Sequence, residues 1–83
     1  MKTVTIDMRL YGAFRKYSDH VRLIVAQGSP VAEVKKALCG VLGPQSQDLV
    51  LDSAIANDHE ILPPGFIIES DVSLSILPPV CGG

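Results

Sequence analysis

The sequence predicts an α+β fold: a single domain over residues 1–83 in which one main helix packs on a mixed β-sheet. Three observations predict it. Apolar and polar residues alternate near both ends of the chain, as in strands with one buried face. A central stretch carries apolar residues at helical spacing between a start and a stop signal. And 83 residues can build one hydrophobic core but no second domain.

The first strand covers residues 3–11, where Val4, Ile6, Met8 and Leu10 point one way and Thr3, Thr5, Asp7 and Arg9 the other. A second strand over 21–26 turns Val21, Leu23 and Val25 inward. The connection between them, Tyr11 to His20, is long enough for a wide hairpin loop. Ser29 then reads as an N-cap with Pro30 at the first helical position. Val31, Val34, Leu38, Val41 and Leu42 form the apolar stripe of a helix over 30–42, which Gly43-Pro44 stops. Residues 45–52 read as a loop. A short strand over 53–57 ends in an Asn57-Asp58 turn, and Glu60-Ile61-Leu62 pairs back. Pro63-Pro64-Gly65 breaks the chain again. Val72, Leu74 and Ile76 face inward from a last strand over 72–77. A hairpin, one helix and a returning set of strands make a small α+β sandwich; in known folds of this arrangement the first and last strands sit side by side and parallel, and that pairing is the expectation here.

Composition excludes several function classes. Hydrophobic residues make up 47% and charged ones 19%, which supports a core and excludes a disordered chain. A net charge of −2 argues against nucleic acid or an anionic membrane as partner. No apolar run approaches the roughly 18 residues of a membrane span. The alternating start with Asp7 is unlike a signal peptide. Cys39 and Cys81 are too few for a disulfide scaffold and have no zinc-ligand spacing, so the expectation is a reduced, cytoplasmic protein with no metal. His20 and His59 sit beside turn residues and read as surface groups. All seven basic residues fall at or before Lys36, whereas Asp48, Asp52, Asp58, Glu60, Glu69 and Asp71 follow it with no Lys or Arg among them. Such a lopsided charge is either a solvated surface or an acidic face that steers the molecule onto a basic partner.

The tail carries the chemistry. After Leu77 the chain reads Pro78-Pro79-Val80-Cys81-Gly82-Gly83. Two prolines hold an extended path and carry the tip away from the sheet. Two glycines without Cβ atoms suit a narrow channel where another protein's backbone comes close. The group at the end is the α-carboxylate of Gly83. Cys81 is either a tolerated small residue or a thiol that exchanges with a partner or traps an acyl group; nothing beside it in sequence activates it. Phe14, Phe66 and Leu77 are apolar residues that the strand patterns do not require, and they read as a partner-binding surface continuing from Pro78, Pro79 and Val80.

These features resemble the sulfur-carrier small subunit of molybdopterin synthase, within the ubiquitin-like β-grasp superfamily. The resemblance spans the whole chain. It rests on Leu10-Tyr11-Gly12-Ala13-Phe14-Arg15-Lys16, on the helix start Ser29-Pro30-Val31-Ala32-Glu33-Val34, on Ala54-Ile55-Ala56-Asn57, and most specifically on Pro78-Pro79-Val80 with Gly82-Gly83. It implies a non-catalytic sulfur-donor subunit of a transferase complex, with no cofactor of its own. An adenylating enzyme would use ATP to activate the Gly83 carboxylate. Sulfide or a persulfide would then displace AMP and leave a thiocarboxylate. The implied acceptor partner is the large synthase subunit, which takes in the tail and passes the sulfur to a pterin precursor. The same features leave open a carrier for thiamin, tungstopterin, a thiolated nucleoside or a secondary metabolite. They also leave open a ubiquitin-like modifier joined to a lysine, or an interaction module with an inert tail.

Overall fold

The computed structural model describes residues 2–79. Its strands are β1 (Thr3–Leu10), β2 (His20–Ala26), β3 (Ser29–Pro30), β4 (Ala54–Ala56), β5 (Ile61–Leu62), β6 (Ile67–Ile68) and β7 (Val72–Leu77). The main helix is α1 (Val31–Leu42), and a one-turn helix α2 (Gln47–Leu51) follows it. Five strands form one sheet in the order β2-β1-β7-β4-β5, and β3 pairs with β6 as a separate ladder.

The period-two segments form the centre of the sheet. β1 pairs antiparallel with β2 and parallel with β7, the latter from Ile6 opposite Val72 to Leu10 opposite Ile76. Val4, Ile6, Met8 and Leu10 all point into the core, where Leu74 and Ile76 meet them from β7. Each such buried aliphatic side chain stabilises the fold by about 1.5–3 kcal/mol. Asp71 extends the parallel edge by accepting a hydrogen bond at Oδ1 from the Thr5 N–H at 2.8 Å.

Helix α1 buries Val31, Val34, Leu38 and Leu42 against that face. Glu33 in its first turn favours the positive end of the helix dipole. Three details of the helical segment differ from the sequence reading. Pro30, at φ −76° and ψ 162°, is extended and serves as the cap, so the helix begins at Val31 and Ser29 makes no capping bond. The reason is β3: Ser29 and Pro30 pair with Ile68 and Ile67, which holds them in strand conformation. Val41, expected on the stripe, is exposed, and Leu42 alone closes it. Cys39 is half-buried against the core.

Residues 45–52, read as a loop, fold into a 3₁₀ turn (Pro44–Ser46) and α2. They do so because Val50 is fully buried and gives the segment a hydrophobic anchor. Lys35 fixes this segment to α1: its Nζ donates to the Ser53 carbonyl at 2.7 Å. The Asn57-Asp58 turn is built as the sequence predicts. Asn57 Oδ1 accepts from the His59 and Glu60 N–H groups, both at 2.8 Å.

Candidate functional site

The site is built around the end of β7. That strand lies in the middle of the sheet, between β1 and β4, so its C-terminal end is braced on both sides. Leu77 pairs with Ala54, and Pro78 follows half-buried, with Pro79 exposed. Val80, Cys81, Gly82 and Gly83 lie outside the described residues.

The connection from β1 to β2 folds beside this exit. Tyr11 is extended, at φ −125° and ψ 162°, and Gly12 at φ +57° turns the chain into a 3₁₀ turn (Gly12–Lys16). The turn is closed by the Phe14 N–H donating to the Tyr11 carbonyl at 3.1 Å and the Tyr17 N–H donating to the Phe14 carbonyl at 2.9 Å. Phe14, expected on a partner-binding surface, is instead fully buried. The 3₁₀ turn directs its ring inward, where it plugs the core beneath the hairpin connection. Gly12 remains at the surface, against Pro78.

Phe66 and Leu77 keep 40% and 36% of their surface exposed, but the structure does not bring them together. Phe66 lines a groove of about 250 Å³ with Leu62, Ile68, Val72 and Leu74, toward the start of β7. Leu77 lies at the other end of that strand, roughly 17 Å further along at about 3.3 Å per residue.

Two residues absent from the sequence-based surface stand closer to the tail. Ile55 and Leu62 face the core, so their neighbours Ala54, Ala56 and Ile61 face outward, on the same side as Leu77. Tyr11 follows the inward-facing Leu10 and comes level with Leu77 on that outer face. Tyr11, at 42% exposure, therefore stands beside Leu77 at the exit, and Ile61, at 62%, extends this apolar rim on the same face two strands over, level with Ser75. An apolar residue at a strand end is only a weak signal in sequence, and the register is what places Tyr11 and Ile61 on the outer face. The rim is bordered by exposed Asp58 and Glu60, and Tyr11 shares a cleft of about 220 Å³ with Arg9, Asp58, Ser73 and Ser75.

His20 and His59 are both exposed. Among the described residues, no group of three or more His, Cys, Asp or Glu is arranged to hold a metal ion. No helix among them is long and apolar enough to cross a membrane. The described residues thus offer a braced exit strand and an apolar rim, with Asp58 and Glu60 toward Ile61 and Arg9 and Arg15 beside Tyr11.

No family model matches the chain, and no curated protein matches its sequence. Solved structures do match its fold. Small archaeal modifier protein 1 from Haloferax volcanii superposes with a TM-score of 0.79 at 20% identity, over 93% of this chain and 99% of that one. A candidate molybdopterin converting factor, subunit 1, from Pyrococcus furiosus gives 0.76 at 15% identity, over 93% and 99%. The ubiquitin of Caldiarchaeum subterraneum gives 0.66 at 14% identity, over 99% and 100%. Five strands in mixed order with one main helix across them, shared with these three proteins over nearly their whole lengths, give this chain the ubiquitin-like β-grasp fold.

Proposed function

We propose that this protein is a cytoplasmic sulfur carrier for molybdopterin synthesis, with Gly83 as its acyl terminus. The observation that carries the reading is the central, doubly braced β7 running straight into Pro78-Pro79, ahead of the Gly82-Gly83 tip. A firm strand followed by a thin tip suits presentation of one carboxylate to the interior of a partner. A carboxylate oxygen of Gly83 attacks the α-phosphorus of ATP in an activating enzyme and releases pyrophosphate. Hydrosulfide then attacks the acyl carbon, AMP leaves, and a thiocarboxylate remains. The large subunit of the synthase receives residues 78–83 and rests on the rim of Tyr11, Ile61 and Leu77. This chain supplies a tethered nucleophile at high local concentration, and the partner supplies acids, bases and charge stabilisation.

Likeness to small archaeal modifier protein 1 favours a second reading, in which the activated Gly83 acylates a lysine amine. Intact-mass spectrometry of the protein isolated from its native cells separates the two. The carrier gives a species heavier by the exchange of one oxygen for sulfur. The modifier gives a ladder of conjugates. A carrier that never acquires sulfur, even with an activating enzyme, ATP and hydrosulfide present, refutes the first reading.

A further inference from the structure

The parallel register between β1 and β7 continues beyond its last paired residues. Leu10 lies opposite Ile76, so Tyr11 comes level with Leu77 and Gly12 with Pro78. At that level the two chains part. Gly12, at φ +57°, turns away into the 3₁₀ turn, and Phe14 anchors that turn in the core. The other chain runs on as Pro78-Pro79. A Cβ atom at Gly12 would stand 2.6 Å from Pro78 Cγ and 3.5 Å from its Cδ. Carbon atoms in contact sit about 3.5–4.0 Å apart, so any side chain at position 12 must push the ring by roughly an ångström. Re-puckering can shift Cγ alone, but the rest of the ring is fused to a backbone fixed near φ −65° and cannot swing aside like a long side chain, so relief beyond a change of pucker must move the backbone. Displacing the ring therefore redirects the residues that follow it.

We propose that Gly12 is a positioning residue for the tail: its missing side chain seats Pro78 and sets the direction in which Pro78-Pro79 leaves the sheet. The proposal deepens the reading of Gly83 as acyl terminus and rests on it for its purpose, though not for its geometry. Gly28 supplies the internal control. It too has positive φ, at +88°, but nothing lies within 4 Å of the place its Cβ would occupy. Alanine at either position meets the left-handed backbone penalty. Between these two, only alanine at Gly12 meets the tail.

Three measurements on the full chain test this. Thermal melts of G12A, G28A, P78A and the G12A/P78A double variant come first. G12A is expected to melt several degrees below G28A, and the Gly12 and Pro78 substitutions to be non-additive, because removing the ring removes the obstruction. Additive effects would overturn the contact. Should G12A fold too poorly to melt, recovery of the fold in G12A/P78A supports the contact, and failure to recover overturns it. Second, a nitroxide on Cys81 in a Cys39→Ala background reports where the tail points through broadening of the amide signals of residues 11–17. G12A is expected to change that pattern and G28A to keep it; one pattern for all three proteins would overturn the proposal. Third, ATP–pyrophosphate exchange by the adenylating enzyme reads the consequence. G12A is expected to raise KM on the order of tenfold at unchanged kcat, as misdirected groups do. Because this chain is the substrate of that reaction, misfolding alone would raise the apparent KM by lowering the folded concentration, so the assay runs well below the G12A melting temperature and KM is expressed per folded chain; a KM on that basis equal to that of G28A would overturn the consequence. If the wild-type chain supports no exchange, the carrier reading fails, and the melts and the label still decide the role of Gly12.

Discussion

Replacing Phe14 with alanine separates a core residue from a docking residue. The ring is fully buried within a 3₁₀ turn whose backbone bonds hold its Cα in place, so the core cannot collapse freely into the space left behind. Phe→Ala changes at such sites cost about 3–5 kcal/mol. A domain of 83 residues has roughly 4–12 kcal/mol of stability in total, at about 0.05–0.15 kcal/mol per residue. The substitution thus removes a quarter or more of what holds the fold. At about 4–8 °C per kcal/mol the melting temperature should fall on the order of 15–30 °C. Circular dichroism melts and urea titrations measure it, with the urea midpoint falling at a nearly constant m value. Phe66→Ala is the contrast: with 40% of its surface already exposed, it should cost only about 1–1.5 kcal/mol. A loss below about 1 kcal/mol for Phe14→Ala, accompanied by weakened partner binding, would refute the burial argument and return Phe14 to the surface.

Removing Gly83 should abolish ATP–pyrophosphate exchange without moving the melting temperature, and Gly82→Ala should impair exchange by obstructing the channel; exchange by the deletion variant at wild-type rate would dismiss the carrier chemistry. Leu77→Ser and Ile61→Ser should raise the off-rate from the large subunit on the order of tenfold each, as anchors of about 1.4 kcal/mol or more do, while Phe66→Ala on the remote groove should barely change it; surface plasmon resonance distinguishes them. Raising salt to about 0.5 M should slow association more than dissociation, because screening shortens the reach of Asp58 and Glu60 to a few ångströms; a salt-independent on-rate would remove the steering role of the acidic half. Lys35→Met should cost about 1.5–3 kcal/mol by deleting the charged hydrogen bond to the Ser53 carbonyl, and hydrogen exchange of residues 47–53 should accelerate with it.

The elements legible in the sequence are those whose side chains repeat. β1, β7 and α1 each place three or more apolar residues on one face, so their existence can be read from spacing, whereas the parallel pairing of the chain's two ends comes from likeness to a known arrangement. β3 and β6 cannot, because two residues carry no period; only the fold brings Ser29-Pro30 to Ile67-Ile68 and takes the cap away from Ser29. α2 is a single turn behind Pro44 and is helical because Val50 must reach the core. At the site, the exit of the tail follows from Pro78-Pro79 and the strand before them. The rim does not. Phe14 resembles a surface residue because it sits in a connection, where apolar residues are unexpected, and a buried plug gives the same signal as an exposed anchor. Tyr11 and Ile61 look in sequence like ordinary strand ends, and only the register shows that both face the side on which Leu77 lies.

The parallel pairing of β1 with β7 also governs how the molecule bears load. The Thr5 N–H and Asp71 are joined across 66 residues of sequence, so the ladder closes nearly the whole chain upon itself. Because the two strands run the same way, the start of β1 and the end of β7 lie at opposite ends of the sheet. Traction on the tail against the N-terminus therefore slides one strand along the other. It strains all the slanted ladder bonds at once rather than opening them one by one. A machine that grips residues 78–83 and pulls meets its highest resistance at the first step, before any strand has come free. A partner that draws in the tip can tug on it hard while the body of the protein stays folded.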